Sequence, residues 1–172
     1  SGNSGKGGGF MYSPRRIIMY ALFGWSIVYA SQCIYQLDAS ERAVILRLGS
    51  FYEEQNEGLN FRFWGIDERY IENVSTTRRY SQTNSMLTKD ENIVDAEMIV
   101  QYKIKDPVEY LFKIVAPELT VREAAEASLR TVVGRNRIDE TLTTGKFTIQ
   151  EETKMQLQSI LDKYQSGIHV VA

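Results

Sequence analysis

The sequence predicts an α+β protein in which a single N-terminal transmembrane helix precedes a strand-rich first part and a second part that packs one long strand with helices. Three observations carry this prediction. An uncharged run, "IIMYALFGWSIVYASQCIYQL", extends from Ile17 to Leu37 between Arg16 and Asp38. A later stretch, "NIVDAEMIVQYKIK", alternates apolar and polar residues with the period of two that a half-buried strand requires. Beyond it, Pro107 and Pro117 each open a run whose apolar residues recur at helical spacing.

Residues 1–14 begin "SGNSGKGGG", a Gly/Ser-rich stretch without side chains to build a core, and read as a flexible tail. It is not a phosphate loop, because Gly7 stands after Lys6 where Ser or Thr is required. Residues 15–37 read as the membrane anchor: as a helix, Ile17–Leu37 spans about 30 Å, the thickness of a bilayer's hydrocarbon core. Its lipid-facing side chains are Ile17, Ile18, Leu22, Phe23, Trp25, Ile27, Val28 and Ile34. Lys6, Arg15 and Arg16 precede it, so the positive-inside rule puts the N-terminus in the cytoplasm and everything after Asp38 across the membrane. A cleaved signal peptide, with "VYA" at 28–30 as its cleavage site, is the rival; the apolar run continues past that site for a full span, which favours the anchor. Gln32 and Gln36, four apart, are expected on one helix face near the outer interface.

Residues 38–85 form the predicted membrane-proximal first part. "ERAVILRLG" reads as a strand ending in a turn at Gly49, "FYEEQNEG" as a short strand and polar loop, and "RYIENVS" as a further strand containing the glycosylation sequon Asn73-Val74-Ser75. Between them "GLNFRFWGIDERY" puts Leu59, Phe61 and Phe63 on one face of an extended segment, with Trp64 and Ile66 close behind. Two readings stand side by side. These five residues are ordinary core, or they form a loop at the bilayer surface, where Trp and Phe are favoured so soon after an anchor.

Residues 86–172 form the predicted second part, truncated at its C-terminal end. In its long strand Val94, Ala96, Met98, Val100, Tyr102 and Ile104 share one face, and Asp95, Glu97, Ile99, Gln101, Lys103 and Lys105 the other. Asp106-Pro107 is a helix start with Asp as N-cap. After Pro117 a stripe of Val121, Ala125, Ser128, Leu129 and Val132 faces inward, with Glu126 and Arg130 as an exposed i, i+4 pair. Thr148 and Glu151 predict a capping box for a third helix carrying Ile149, Thr153, Leu157, Ile160, Leu161 and Tyr164 on one side, closed by Gly167. "IHVVA" then returns as a strand.

The chemistry on offer is narrow. A net charge of -2 and pI near 5.6 give no excess positive charge for nucleic acid. One cysteine, Cys33, and one histidine, His169, exclude an intrachain disulfide and any site needing several such ligands. Four acids, Asp90, Glu91, Asp95 and Glu97, crowd the start of the long strand, but alternation makes Asp95 and Glu97 neighbours on an open polar face, with no environment to separate their pKa values. No catalytic, cofactor-binding or metal-binding residue is assigned, and elimination favours a structural or scaffolding protein. A Ser/Lys hydrolase of the periplasm stays open as the alternative.

In their order, "ASERAVILRLGSF", "EGLNFRFWGID", "MLTKDENIVDAEMIVQYKIKDPVEYLF", "EAAEASLRTVVGRNRIDETLTTG" and "YQSGIHV" resemble the SPFH (stomatin, prohibitin, flotillin, HflK/C) or band 7 family over about residues 35–172. Glu57 departs from it, standing where many members have Pro before Gly-Leu. The resemblance implies a non-enzymatic subunit of the HflK/HflC type in a bacterial inner membrane, without cofactor. It would assemble with HflC and further copies of itself into a cage around the FtsH protease, segregate lipid and govern access of membrane substrates; a lipid-organising module without a protease partner is the weaker form. It also turns Asp95, Glu97, Gln101, Lys103, Glu126 and Arg130 into candidate subunit contacts.

Overall fold

The computed structural model describes Gly2, residues 13–142 and residues 145–172; apart from Gly2, Ser13 and Pro14, the predicted Gly-rich tail lies outside the described residues. Helix α1 (Pro14–Cys33) opens with proline at its first position and ends where Ile34 turns extended. Strand β1 (Ile34–Leu37) follows directly and pairs antiparallel with β4 (Gly58–Phe61), Ile34 opposite Phe61 and Gln36 opposite Leu59. The predicted anchor is therefore corrected at its C-terminal end. Ile34 and Gln36 belong to a two-stranded ribbon, and the uncharged part of the helix is Ile17–Cys33, about 25 Å long. Among the described residues no helix is long and apolar enough to cross a membrane. Cys33, expected in lipid, is buried at the helix–ribbon junction, where its carbonyl accepts the Arg62 N–H at 2.8 Å.

The second sheet has the order β3-β2-β5, from β2 (Glu41–Arg47), β3 (Ser50–Gln55) and β5 (Asp67–Asn73). Ala43, Val44 and Ile45 are all buried in its central strand. The third sheet, β6-β7-β8, joins β6 (Arg78–Leu87), β7 (Ile93–Ile104) and β8 (Ile168–Val170), all antiparallel. Position 85 lies within β6, so the expected division between 38–85 and 86–172 falls inside a strand of this sheet.

Along β7 Val94, Val100, Tyr102 and Ile104 are buried while Asp95, Glu97 and Ile99 are exposed, because one face meets helices and the other water. Those helices are α3 (Pro117–Val133) and α5 (Lys146–Lys163). Val121, Ala125, Leu157, Leu161 and Ile168 complete one core cluster; Met86, Leu129, Val132, Val133 and Ile149 build a second around Val94. Ala124, Ala125 and Ser128 let α3 approach closely, and the buried Ser128 hydroxyl is satisfied by donating to the Ala124 carbonyl at 2.7 Å.

Asp106 caps α2 (Pro107–Phe112), its carboxylate accepting from Val108 and Glu109 N–H at 3.0 and 3.2 Å. The predicted capping box is corrected. Helix α5 starts at Lys146 with Gly145 before it, so Thr148 and Glu151 lie inside the helix and no side chain caps it. Tyr164, expected on the buried stripe, is exposed at the helix end, one turn beyond Leu161. A short helix α4 (Ile138–Leu142), with too few residues to show a period, has no counterpart in the sequence reading.

Candidate functional site

The apolar residues at the α1 end of the molecule are uncovered. Ile17, Ile18, Leu22, Phe23, Trp25, Ile27 and Val28 are each more than half exposed on α1, which is apolar around most of its circumference beyond the first turn. The ribbon carries the surface onward, since Ile34, Leu59 and Phe61 share one of its faces and are exposed. Phe63, Trp64 and Ile66 continue it in a turn where Ile66 and Asp67 N–H both donate to the Phe63 carbonyl and Gly65 takes φ +99°. Trp64 is therefore presented at the tip, 52% exposed, with Gly65 supplying the positive φ that such a turn needs. None of the five residues singled out at 59–66 is in the core. Phe61 and Phe63 meet edge to face at 5.1 Å, and Tyr29 of α1 touches the Trp64 ring at 6.3 Å and donates to the Trp64 carbonyl at 3.0 Å. Helix, ribbon and turn thus form one continuous apolar apron.

The turn is shaped from beneath by Asp67, a residue without any sequence signal. Its carboxylate is buried and receives Arg47 Nε at 2.8 Å, Arg47 Nη2 at 3.0 Å and the Phe63 N–H at 2.9 Å. Arg47 also lies over the Tyr52 ring at 3.6 Å and the Phe63 ring at 5.0 Å. Arg47 and Asp67 are directly opposed across β2 and β5, so the pair becomes visible only when the strand register is known. The Arg47 fork, joined by the Phe63 N–H and opposed by burial, holds the Asp67 carboxyl below the usual carboxylate range. A depressed pKa means stability that is complete above the unfolded value near 4 and lost as pH falls through the folded value. In a chain carrying Trp25→Phe, Trp64 fluorescence should therefore show a transition below about pH 4 that Asp67→Asn abolishes. Retention of the transition in that variant would assign it to other carboxylates.

The six candidate contact residues fall on two surfaces. Asp95, Glu97, Gln101 and Lys103 line the outer face of β7, where Ser85 donates to Asp95 and His169 sits opposite Lys103. Glu126 and Arg130 are paired at 2.6 Å on α3, which packs on the other face of that sheet. Of the remaining acids, Asp90 is architectural: it accepts the Thr88 hydroxyl at 2.6 Å and the Ile138 N–H at 3.1 Å, tying the β6–β7 loop to α4. The Thr88 hydroxyl is the main reason its carboxyl lies below the usual range. Glu91 occupies φ +62° at the same loop. Among the described residues no cluster of three His, Cys, Asp or Glu is arranged to hold a metal ion.

The profile of the SPFH domain / Band 7 family matches residues 35–172, the three sheets and all the helices after α1. The chain belongs to the SPFH domain / Band 7 family. HflK proteins are among its relatives. "Protein HflK" of Vibrio cholerae is 39% identical over 137 residues, 80% of this chain and 35% of the relative. "Modulator of FtsH protease HflK" of Escherichia coli K12 is 34% identical over 153 residues, 89% of this chain and 36% of the relative. "Protein HflK" of Borreliella burgdorferi is 31% identical over 172 residues, 90% of this chain and 55% of the relative. The chain thus spans between about a third and just over half the length of these curated relatives.

Proposed function

We propose that this chain is the membrane-attached SPFH part of a non-enzymatic scaffold that modulates an FtsH-type protease. In this reading it assembles with an HflC-type partner and further copies of itself in a bacterial inner membrane, as a cage or microdomain that governs which membrane proteins reach the protease. The observation that carries the proposal is the family match together with a relative named as a modulator of FtsH protease. The exposed apolar helix and apron support the membrane part. Helix α1 by itself falls short of a spanning helix, so this reading sets its uncharged run, Ile17–Cys33, in the membrane with the ribbon and apron continuing it, and takes Arg15 and Arg16 at its start as directing the N-terminus to the cytoplasm and the SPFH domain to the periplasm. The apron then rests in the outer interface, where Trp and Phe side chains are favoured.

Loss of the whole protein should change the half-lives of membrane proteins while leaving proteolytic activity present, measured by pulse-chase of several membrane substrates. Unchanged half-lives would remove the modulator role. Cleavage by protein freed of FtsH, abolished by one Ser or Asp substitution, would replace it with a hydrolase.

The outer face of β7 is the proposed subunit contact. Reversing both charges with Asp95→Lys and Glu97→Lys should shift the particle in mild detergent to a smaller size, seen by light scattering, while thermal stability changes by no more than about 1 kcal/mol, as expected of exposed residues. An unchanged particle would make these carboxylates merely solvated.

A further inference from the structure

Beside the apron, the tip of the β2–β3 turn and the start of β5 enclose an open cleft lined by Leu48, Trp64, Ile66 and Tyr70 together with Arg62 and Arg69. Neither arginine forms an ion pair with a described residue: Arg62 gives one long hydrogen bond, Nη1 to the Asp67 carbonyl at 3.4 Å, and Arg69 lies over the Tyr35 ring at 4.4 Å. The Arg62 Nε is buried and finds no acceptor among the described residues, an uncommon condition for a guanidinium, whose donors ordinarily find partners. Of the two carboxylates in the cleft, Asp67 is bound by the Arg47 fork, with Arg62 acting on it only at longer range, and Glu68 lies near the Tyr70 hydroxyl at 3.4 Å. The rim is as informative as the floor. Leu48 is 81% exposed at a left-handed φ of +52°, an awkward position for a leucine to be left in water. With Trp64 and Ile66 it extends the apolar apron around the charged cleft.

We infer that this cleft binds the phosphate of an anionic phospholipid, with Arg62 and Arg69 on the headgroup and Leu48, Trp64 and Ile66 against the upper acyl chains. The inference rests on the membrane-facing reading of the apron and adds to it a headgroup preference. Arginine suits this role because its planar fork matches phosphate oxygens and is weakly hydrated, so it gives up water readily at an interface. A basic pocket with an apolar rim at headgroup depth selects for anionic lipid, whereas a flat aromatic surface does not discriminate by charge. Free phosphate offers the same oxygens but nothing for the rim.

The full chain carrying Trp25→Phe, in neutral detergent micelles, leaves Trp64 as the reporter, since the sequence has two tryptophans. It is titrated with dioleoylphosphatidylglycerol, with dioleoylphosphatidylcholine and with inorganic phosphate. The expected result is half-saturation at roughly ten-fold lower mole fraction of phosphatidylglycerol than of phosphatidylcholine, a ratio that Arg62→Gln/Arg69→Gln brings close to one by weakening only the anionic lipid. Equal response to both lipids in the parent chain, or an undiminished preference in the arginine variant, would overturn the cleft while leaving the apron standing. Absence of response to either lipid would sink the membrane-facing reading and the cleft with it. An equal fluorescence change with inorganic phosphate alone would make the ligand a free anion and not a lipid.

Discussion

Vesicle binding by the fragment 34–172 should fall roughly 30-fold when Phe63 and Trp64 are both replaced by serine, with the thermal midpoint of the fragment nearly unchanged. The fragment omits α1, whose apolar residues would otherwise dominate any membrane measurement. Phe63 and Trp64 are 41% and 52% exposed, so each side chain keeps at least about 80 Å² in contact with water that a membrane could cover. At about 25 cal/mol per Å² that is about 2 kcal/mol per ring for full transfer. An interfacial position removes about half of it, which gives about 2 kcal/mol for the pair and the stated factor. The two rings differ from core side chains in that their removal opens no cavity: Phe63 meets Phe61 edge to face and lies under the Arg47 guanidinium, and Trp64 stands at a turn tip. Co-sedimentation with phosphatidylcholine vesicles measures the partition and circular dichroism the midpoint. If the double variant binds vesicles as the parent does but melts early, the rings hold the domain together and the apron is not a membrane surface.

Why that distinction was beyond the sequence is a matter of what alternation can report. A period of two in "LNFRF" says that Leu59, Phe61 and Phe63 share a face, but an apolar face turned to lipid and one turned to a protein core have the same pattern. Along β7 the pattern sufficed, because helices cover one side and water the other, and polar residues mark the wet side directly. Local pairs were equally legible: Glu126 and Arg130 are set by helix geometry alone, as is the Asp106 cap. Long-range pairs were not. Ile34–Leu37 continue an uncharged run and look helical until β4 is available to pair with them, and Arg47 finds Asp67 through register across two strands. Arg62 and Arg69 carry no local signal for the same reason, since each is a single basic residue between aromatic or acidic neighbours and only the fold gathers them at one cleft. At α5 the Thr148/Glu151 signal was real but overridden, because Lys146 and Phe147 continue the helix upstream of it.

The substitution expected to cost most stability lies far from the apron, at Gly167. Its carbonyl accepts the Lys105 N–H at 2.6 Å and the Asp106 N–H at 3.0 Å, which pins the link between α5 and β8 against the end of β7. It sits at φ +66°, and a Cβ there would come within 2.1 Å of the Asp106 carbonyl oxygen and 2.9 Å of the Tyr110 nitrogen. Both are backbone atoms of the capped start of α2, with no flexible side chain to swing aside. Relief requires α2 to move, and Tyr110 with it, whose hydroxyl accepts from Arg78 Nη1 at 2.9 Å while Arg78 Nη2 holds Glu72 of β5 at 3.1 Å. Gly167→Ala should therefore lose about 3 kcal/mol, a midpoint shift of about 10 °C for a domain of this size. Gly49→Ala separates the two contributions: φ is +82° there and nothing lies within 4 Å, so only backbone strain of about 1 kcal/mol applies. Urea denaturation of both variants gives the comparison. A loss at Gly167 no larger than that at Gly49 would mean that α2 shifts freely, and that the junction between the long strand and its first helix is not the rigid corner its hydrogen bonds imply.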